Sequence, residues 1–247
     1  MKILIVNDDS IHAPGIRVLA RAAAQLGQVW VAAPSEQCSA LSQKLTLREL
    51  ISLEEVSDFP APVEKAWSIG GTPVDCVKVA LEYLLEEKPD LVLSGINNGY
   101  NAGQDIAYSG TLGAAFEARR HGIAAIAVSG SADKYLPEME AHLLPILREL
   151  TEKPAERGYV WNVNFPVMKE DKPLRGILRD RAVCPVSMYQ ERYVPVRQED
   201  GRAMLECRGI PTPDDQIPAG TDAAAVRAGY ISIGQVGCLA GVTEGER

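Results

Sequence analysis

The sequence predicts a doubly wound α/β fold, a mostly parallel Rossmann-like sheet with a β-rich C-terminal arm. Short apolar runs recur up to about residue 165, each followed by a segment of helical periodicity, as parallel strands joined by crossover helices require. The first strand–helix–strand unit closes within about 35 residues. After Pro166 the helical periods give way to short β-like pieces punctuated by proline. We therefore expect one domain over residues 1–247, divided into an α/β core (1–165) and a β-rich extension (166–247) available for subunit contacts.

The elements follow in chain order. Ile3 to Val6 is an apolar strand that ends in the polar cluster Asn7-Asp8-Asp9-Ser10. Pro14 suits a first helical turn, and Ile16, Leu19, Ala20, Ala23 and Leu26 trace one helix face. Gln28 to Ala33 is a second buried strand, stopped by Pro34, and the alternation over Leu45 to Leu53 predicts an exposed strand or hairpin arm. Thr72-Pro73 offers an N-cap and a proline at the first position of a helix whose inner face carries Val77, Leu81, Leu84 and Leu85. Asp90 to Leu93 reads as a strand, Ser94 to Gly110 as a polar loop, Thr111 to Arg120 as a helix and Ile123 to Val128 as a strand. Pro137 to Leu150 reads as a helix and Tyr159 to Phe165 as a strand. Beyond them Tyr189 to Val196, Ala203 to Cys207 and Tyr230 to Val236 are β candidates.

Composition narrows the function. A formal charge of −8 argues against affinity for nucleic acid backbone. No apolar stretch reaches the roughly 18 to 20 residues of a membrane span, and the first apolar run meets Asn7-Asp8-Asp9 too early for a signal peptide. Five cysteines without a Cys-x-x-Cys pair fit a reduced, cytoplasmic setting and exclude zinc-ribbon spacing. With His only at 12, 121 and 142, a histidine-rich metal site has few candidates.

In an open parallel sheet, ligands bind beyond the carboxyl ends of the strands. Three polar segments lie there: Asn7 to Ser10, Ser35 to Ser42 and Ser94 to Gly110. Adjacent carboxylates at Asp8 and Asp9 repel unless a cation or a shared proton relieves them, although an isolated Asp-Asp serves equally well as a turn or helix cap. Ser109, Gly110 and Thr111 stand where a helix begins, so its N–H groups and dipole offer a seat for phosphate. The 17-residue span from Ser94 to Gly110 is too long to be idle if it is a structureless loop. Neither Gly-x-x-x-x-Gly-Lys-Ser/Thr nor Gly-x-Gly-x-x-Gly after the first strand is present.

The blocks Asn7-Asp8-Asp9 with His12-Ala13-Pro14-Gly15, Gly71-Thr72-Pro73-Val74-Asp75-Cys76-Val77 and Ser94-Gly95-Ile96-Asn97 form a recognisable set. They continue through Gly99, Asn101, Gly103 and Asp105 into Tyr108-Ser109-Gly110-Thr111, then Gly220-Thr221-Asp222 and Gly229-Tyr230-Ile231-Ser232-Ile233. The chain thereby resembles the stationary-phase survival protein SurE family of metal-dependent nucleoside monophosphate phosphatases. The resemblance implies hydrolysis of 5′- and 3′-nucleoside monophosphates to nucleoside and phosphate, with short-chain polyphosphate as a secondary substrate. It implies one divalent cation per subunit, Mg²⁺ or Mn²⁺, on Asp8, Asp9, Ser39 and Asn97. Four oxygen donors without thiolate or imidazole suit such a hard cation.

On this reading Asp8 or Asp9 orients or deprotonates the attacking water, and Asn97, Ser109, Gly110 and Thr111 hold the phosphate. His12, at a helix entry before Pro14, is expected to be structural. The family implies a homodimer or homotetramer built through the C-terminal part. Ser10 and Ala40 stand where the family has glycine, which puts the local loop geometry in question. Two alternatives stay open: a receiver-like domain, which also pairs acids after its first strand, and a non-catalytic nucleotide sensor on the same fold.

Overall fold

The computed structural model describes residues 1–130, 136–167 and 173–238, with the side chains of 136–138 left aside. Among these residues a nine-stranded sheet runs in the order β3-β4-β2-β1-β5-β6-β7-β11-β8. Its strands are β1 (Lys2–Val6), β2 (Gln28–Pro34), β3 (Leu53–Glu55), β4 (Lys65–Ile69), β5 (Leu91–Asn98), β6 (Ala124–Gly130), β7 (Tyr159–Asn164), β8 (Ile177–Leu178) and β11 (Ile231–Gly237). The central run from β4 to β7 is parallel; β3 and β11 join it antiparallel at β4 and β7. Apart from the sheet, β9 (Tyr189–Glu199) and β10 (Arg202–Pro211) pair as an antiparallel hairpin.

Strand alternation builds two cores. Ile3, Ile5, Val29, Val31, Leu91 and Leu93 face one side, with residues of α1 (Pro14–Ala23) and α4 (Leu136–Glu152). Leu4, Val6, Ala32 and Val92 face the other, with α2 (Pro73–Val79) and α3 (Gly110–Arg120). Both faces are covered, which is why the strands read as unbroken apolar runs rather than alternating ones.

Helix entry is set by local chemistry. Thr72 caps α2 in a capping box with Asp75: the Thr72 hydroxyl accepts from Asp75 N at 3.2 Å, and Asp75 Oδ2 accepts from Thr72 N at 2.8 Å. Asp75 also accepts from the backbone N and hydroxyl of Thr46 at 3.0 and 2.6 Å. Burial opposes its ionisation, but these hydrogen bonds outweigh burial and hold its pKa below the ordinary value. Asp75 thus ties the loop after β2 to α2.

Several expectations are corrected. Leu45 to Leu50 forms no strand; Leu47 and Leu50 are 79% and 101% exposed, and only β3 pairs at the sheet edge. The strand β4 was not foreseen, because Lys-Ala-Trp-Ser-Ile contains no apolar run and is specified by pairing with β2. Ser94 to Gly110 is not a structureless loop. β5 continues to Asn98 through a register shift between Ser94 and Asn97, and a 3₁₀ turn covers Gly103–Tyr108. Beyond Pro166, β8 and β11 enter the core sheet, and α5 (Asp222–Arg227) is an additional helix capped by Thr221. Among the described residues only the β9–β10 hairpin stands apart as an arm.

Candidate active site

The site lies at the carboxyl ends of β1, β2 and β5, around the first turn of α3. β1 ends at Val6, so Asp8 and Asp9 fall in the bend that follows rather than on opposite faces of the sheet. The Asn7 side chain holds that bend by donating to Ser10 O at 2.7 Å. Cys38 N donates to Asp8 O at 2.7 Å and fastens the β2 loop to it. Asp9 Oδ2 accepts from Asn98 N at 2.7 Å, next to Asn97. Gln37 Nε2 reaches Asp9 Oδ1 at 3.5 Å and donates to Ser39 Oγ at 3.0 Å, which brings Ser39 beside the carboxylate pair.

The N-terminus of α3 closes the other side. Ser109 is its N-cap, and its hydroxyl accepts from Leu112 N at 3.1 Å, leaving its own proton for another acceptor. Thr111 Oγ1 donates to Asp8 Oδ1 at 2.8 Å. Gly110 packs so closely on Asp8 that a Cβ there would lie 3.0 Å from Asp8 Cβ and 3.1 Å from Asp8 Oδ2. Asp8 thus meets Gly110 and Thr111, and Asp9 is linked through Gln37 to Ser39; Asn97 and Ser109 are the chain neighbours of Asn98 and Gly110, which touch Asp9 and Asp8. His12 lies at the rim, exposed, with its carbonyl accepting from Arg17 Nη2 at 3.0 Å.

Electrostatics distinguish the two carboxylates. Burial pushes the Asp8 pKa up to about 6; Thr111 opposes the shift, and the charge of Asp9 adds to it. A site that forces a buried acid towards neutrality beside a second carboxylate is one that a cation would relieve. The donors expected from the sequence, two carboxylates, the Ser39 hydroxyl and the Asn97 amide oxygen, would suit a hard divalent ion. Asn97 Nδ2 donates to Gly99 O at 3.0 Å. Among the described residues no group of three or more His, Cys, Asp or Glu could hold a metal ion.

Comparison with known proteins decides the family. The family described as Survival protein SurE matches residues 3–189. The chain belongs to the SurE family. The 5′/3′-nucleotidase SurE of Escherichia coli O17:K52:H18 is 36% identical over 233 residues, covering 94% of this chain and 88% of that protein. The same figures hold for the 5′/3′-nucleotidase SurE of Shigella dysenteriae serotype 1. The crystal structure of the SurE protein from Aquifex aeolicus superposes with a TM-score of 0.80 at 30% identity, covering 98% of this chain and 95% of that one. Membership of this SurE family sets the receiver-like alternative aside.

Positions 10 and 40, where the resemblance led us to expect glycine, have a backbone conformation that favours it. Ser10 and Ala40 both adopt positive φ, 90° and 57°, a region that disfavours a side chain. A glycine there would adopt this conformation without strain. Ser10→Gly and Ala40→Gly should each stabilise the protein by about 0.5–1 kcal/mol, since relief of left-handed strain exceeds the entropy added to the unfolded chain. Urea denaturation checks this; destabilisation in both variants would contradict it.

Two residues of the site were not foreseen from sequence. Gln37 carries no motif, and its position two residues before Ser39 was the available signal. Asn101 stood within a quoted block, but its contacts cross between strands and appear only in the fold.

Proposed function

We propose that this chain is a metal-dependent phosphomonoesterase that hydrolyses nucleoside 5′- and 3′-monophosphates to nucleoside and phosphate. Its class, a hydrolase of phosphoric monoesters, is that of its curated relatives. The observation that carries the reading is the Asp8–Asp9 pair at the sheet's carboxyl edge, with Asp8 held by Thr111 on the first turn of α3. Paired acids beside a helix N-terminus suit the hydrolysis of an anionic ester.

Asp8, Asp9, Ser39 and Asn97 would hold one Mg²⁺ or Mn²⁺ ion per subunit. When bound, such an ion polarises a phosphoryl oxygen and lowers the pKa of a coordinated water. The chain's own residues do the rest. Ser109 and the N–H groups of Gly110 and Thr111, with the Asn97 side chain, orient the phosphate and stabilise charge on its oxygens. One of the two carboxylates aligns the water and takes its proton. Asp9 is fixed by the Asn98 N–H. Short-chain polyphosphate offers the same terminal phosphate and is a secondary substrate.

The β9–β10 hairpin projects exposed apolar side chains, among them Tyr193, Val196 and Leu205. It supports a homodimer or homotetramer, which light scattering would read as a multiple of the 26.7 kDa chain; a monomer would count against it. Among the described residues no helix is long and apolar enough to cross a membrane, and all five cysteines are free, in keeping with a cytoplasmic enzyme. The acidic charge leaves no role for nucleic acid backbone.

The test is phosphate release from a panel of 5′- and 3′-nucleoside monophosphates with Mg²⁺, Mn²⁺ or EDTA. Metal-supported release is expected. Binding of nucleotide without phosphate release under any metal would favour the sensor instead.

A further inference from the structure

Behind Asp8 lies a buried polar network that the proposed chemistry does not use. Asn101 follows β5, is buried, and donates through Nδ2 to Thr111 Oγ1 at 3.1 Å and to Ser129 Oγ at 2.8 Å. Its own peptide is clamped from β7. Asn101 N donates to Asn164 Oδ1 at 2.8 Å, and Asn101 O accepts from Asn162 Nδ2 at 2.8 Å and Asn164 Nδ2 at 3.0 Å. Three asparagines and two hydroxyls from different elements thus meet in an interior that otherwise favours apolar side chains. Such a network is costly if it is left incomplete.

Proton counting gives the network a direction. A hydroxyl has one proton, and an ionised carboxylate only accepts. If the Asn101 amide nitrogen faces Thr111, it occupies a lone pair of the Thr111 oxygen and leaves the Thr111 proton to Asp8 Oδ1. The opposite amide orientation would bring an oxygen to Thr111 and draw that proton away from Asp8. We propose that Asn101, locked by Asn164, is a positioning residue for the nucleotidase reaction: it commits the Thr111 hydroxyl to Asp8 and so fixes the orientation of that carboxylate towards metal and water. The proposal rests on the reading of the site as a nucleotidase. Residues that orient a metal-binding side chain through hydrogen bonds change metal affinity or activity by about 10- to 100-fold when replaced.

Asn101→Asp keeps the size but replaces the amide donor by an acceptor, so Thr111 can turn its proton away from Asp8. The measurements are Mn²⁺ affinity by electron paramagnetic resonance, and kcat and KM for AMP, in a double-mutant cycle with Thr111→Val. Alone, Asn101→Asp should weaken Mn²⁺ binding or lower kcat about tenfold or more, with KM changed less than kcat. In the Thr111→Val background the same substitution should add less than about twofold, because the path it acts through is gone. Equal effects in both backgrounds, or unchanged Mn²⁺ affinity and kcat in the single variant, would overturn the proposal. Asn164→Asp keeps the acceptor for Asn101 N but loses the donor to Asn101 O, and serves for the same cycle if Asn101→Asp does not fold. If the wild-type chain binds Mn²⁺ but releases no phosphate from any nucleotide, the nucleotidase reading fails while the Mn²⁺ affinities still decide the coupling.

Discussion

Metal-free protein carrying Asp8→Asn should be more stable than the wild type at neutral pH, by roughly 2–3 kcal/mol, while its turnover falls to background. The stability gain follows from burial. Asp8 shifts from 3.8 to about 6 in the fold, with burial as the leading cause, so the folded state favours the neutral acid. The sign follows directly. Because the folded pKa is raised, the group's favourable contribution is fully present below about 3.8 and is lost as pH rises through about 6. Asn has no such charge to bury, can still accept from Thr111, and places an amide rather than an anion beside Asp9. Urea denaturation in EDTA, at about pH 4 and near pH 7, reads the effect. The two proteins should converge at the acid end and separate at the neutral end. Addition of Mn²⁺ should then raise the wild type more than the variant, since the ion binds the folded state and Asp8 is one of its charged ligands. Equal stability at neutral pH would mean that Asp8 is not a destabilised carboxylate.

Gly110→Val should cost far more activity than Thr111→Val. A branched side chain at Gly110 is crowded: its Cβ alone would meet Asp8 Cβ at 3.0 Å, Asp8 Oδ2 at 3.1 Å and Pro73 Cγ at 3.3 Å. It would displace Asp8 and fill the space where the α3 N-terminus must approach phosphate. We expect a loss of about 100-fold or more in kcat/KM, on the scale of removing one oxyanion donor. Thr111→Val keeps the shape and the backbone N–H but removes the hydrogen bond to Asp8, an interaction to a charged group worth about 1.5–3 kcal/mol. That corresponds to a loss of about 10- to 100-fold. Steady-state kinetics with phosphate inhibition reads the order of damage. If Gly110→Val keeps full activity while Thr111→Val loses it, phosphate is held by side chains and not by the helix backbone.

The fold was legible where a residue's role is local. Ile3 to Val6 reads as a strand because it is apolar on both faces, and α1 and α2 are marked by Pro14 and by Thr72-Pro73. β4 was not legible, since Lys65 to Ile69 owes its strand to pairing with β2. The alternation of Leu45 to Leu53 misled for the converse reason: a period-2 pattern makes a strand only when a sheet edge is free to receive it, and Leu47 and Leu50 point to solvent. The residues expected in the site stood in separate motifs. The cross-links between them were not legible: Thr111 to Asp8 joins residues 103 apart, and Asn98 to Asp9 joins residues 89 apart. Ser109 and Thr111 divide their work: one hydroxyl caps α3 and the other is turned towards Asp8.

The central claim is that the adjacent carboxylates hold the ion on which hydrolysis depends. Phosphate release from AMP, measured for the wild type and Asp9→Asn with EDTA and then with saturating Mn²⁺, tests it most directly. The wild type should fall to background in EDTA and recover with Mn²⁺, while Asp9→Asn should stay folded by circular dichroism and remain at background at the same Mn²⁺. A wild-type rate indifferent to EDTA, or an Asp9→Asn enzyme as fast as the wild type, would contradict it.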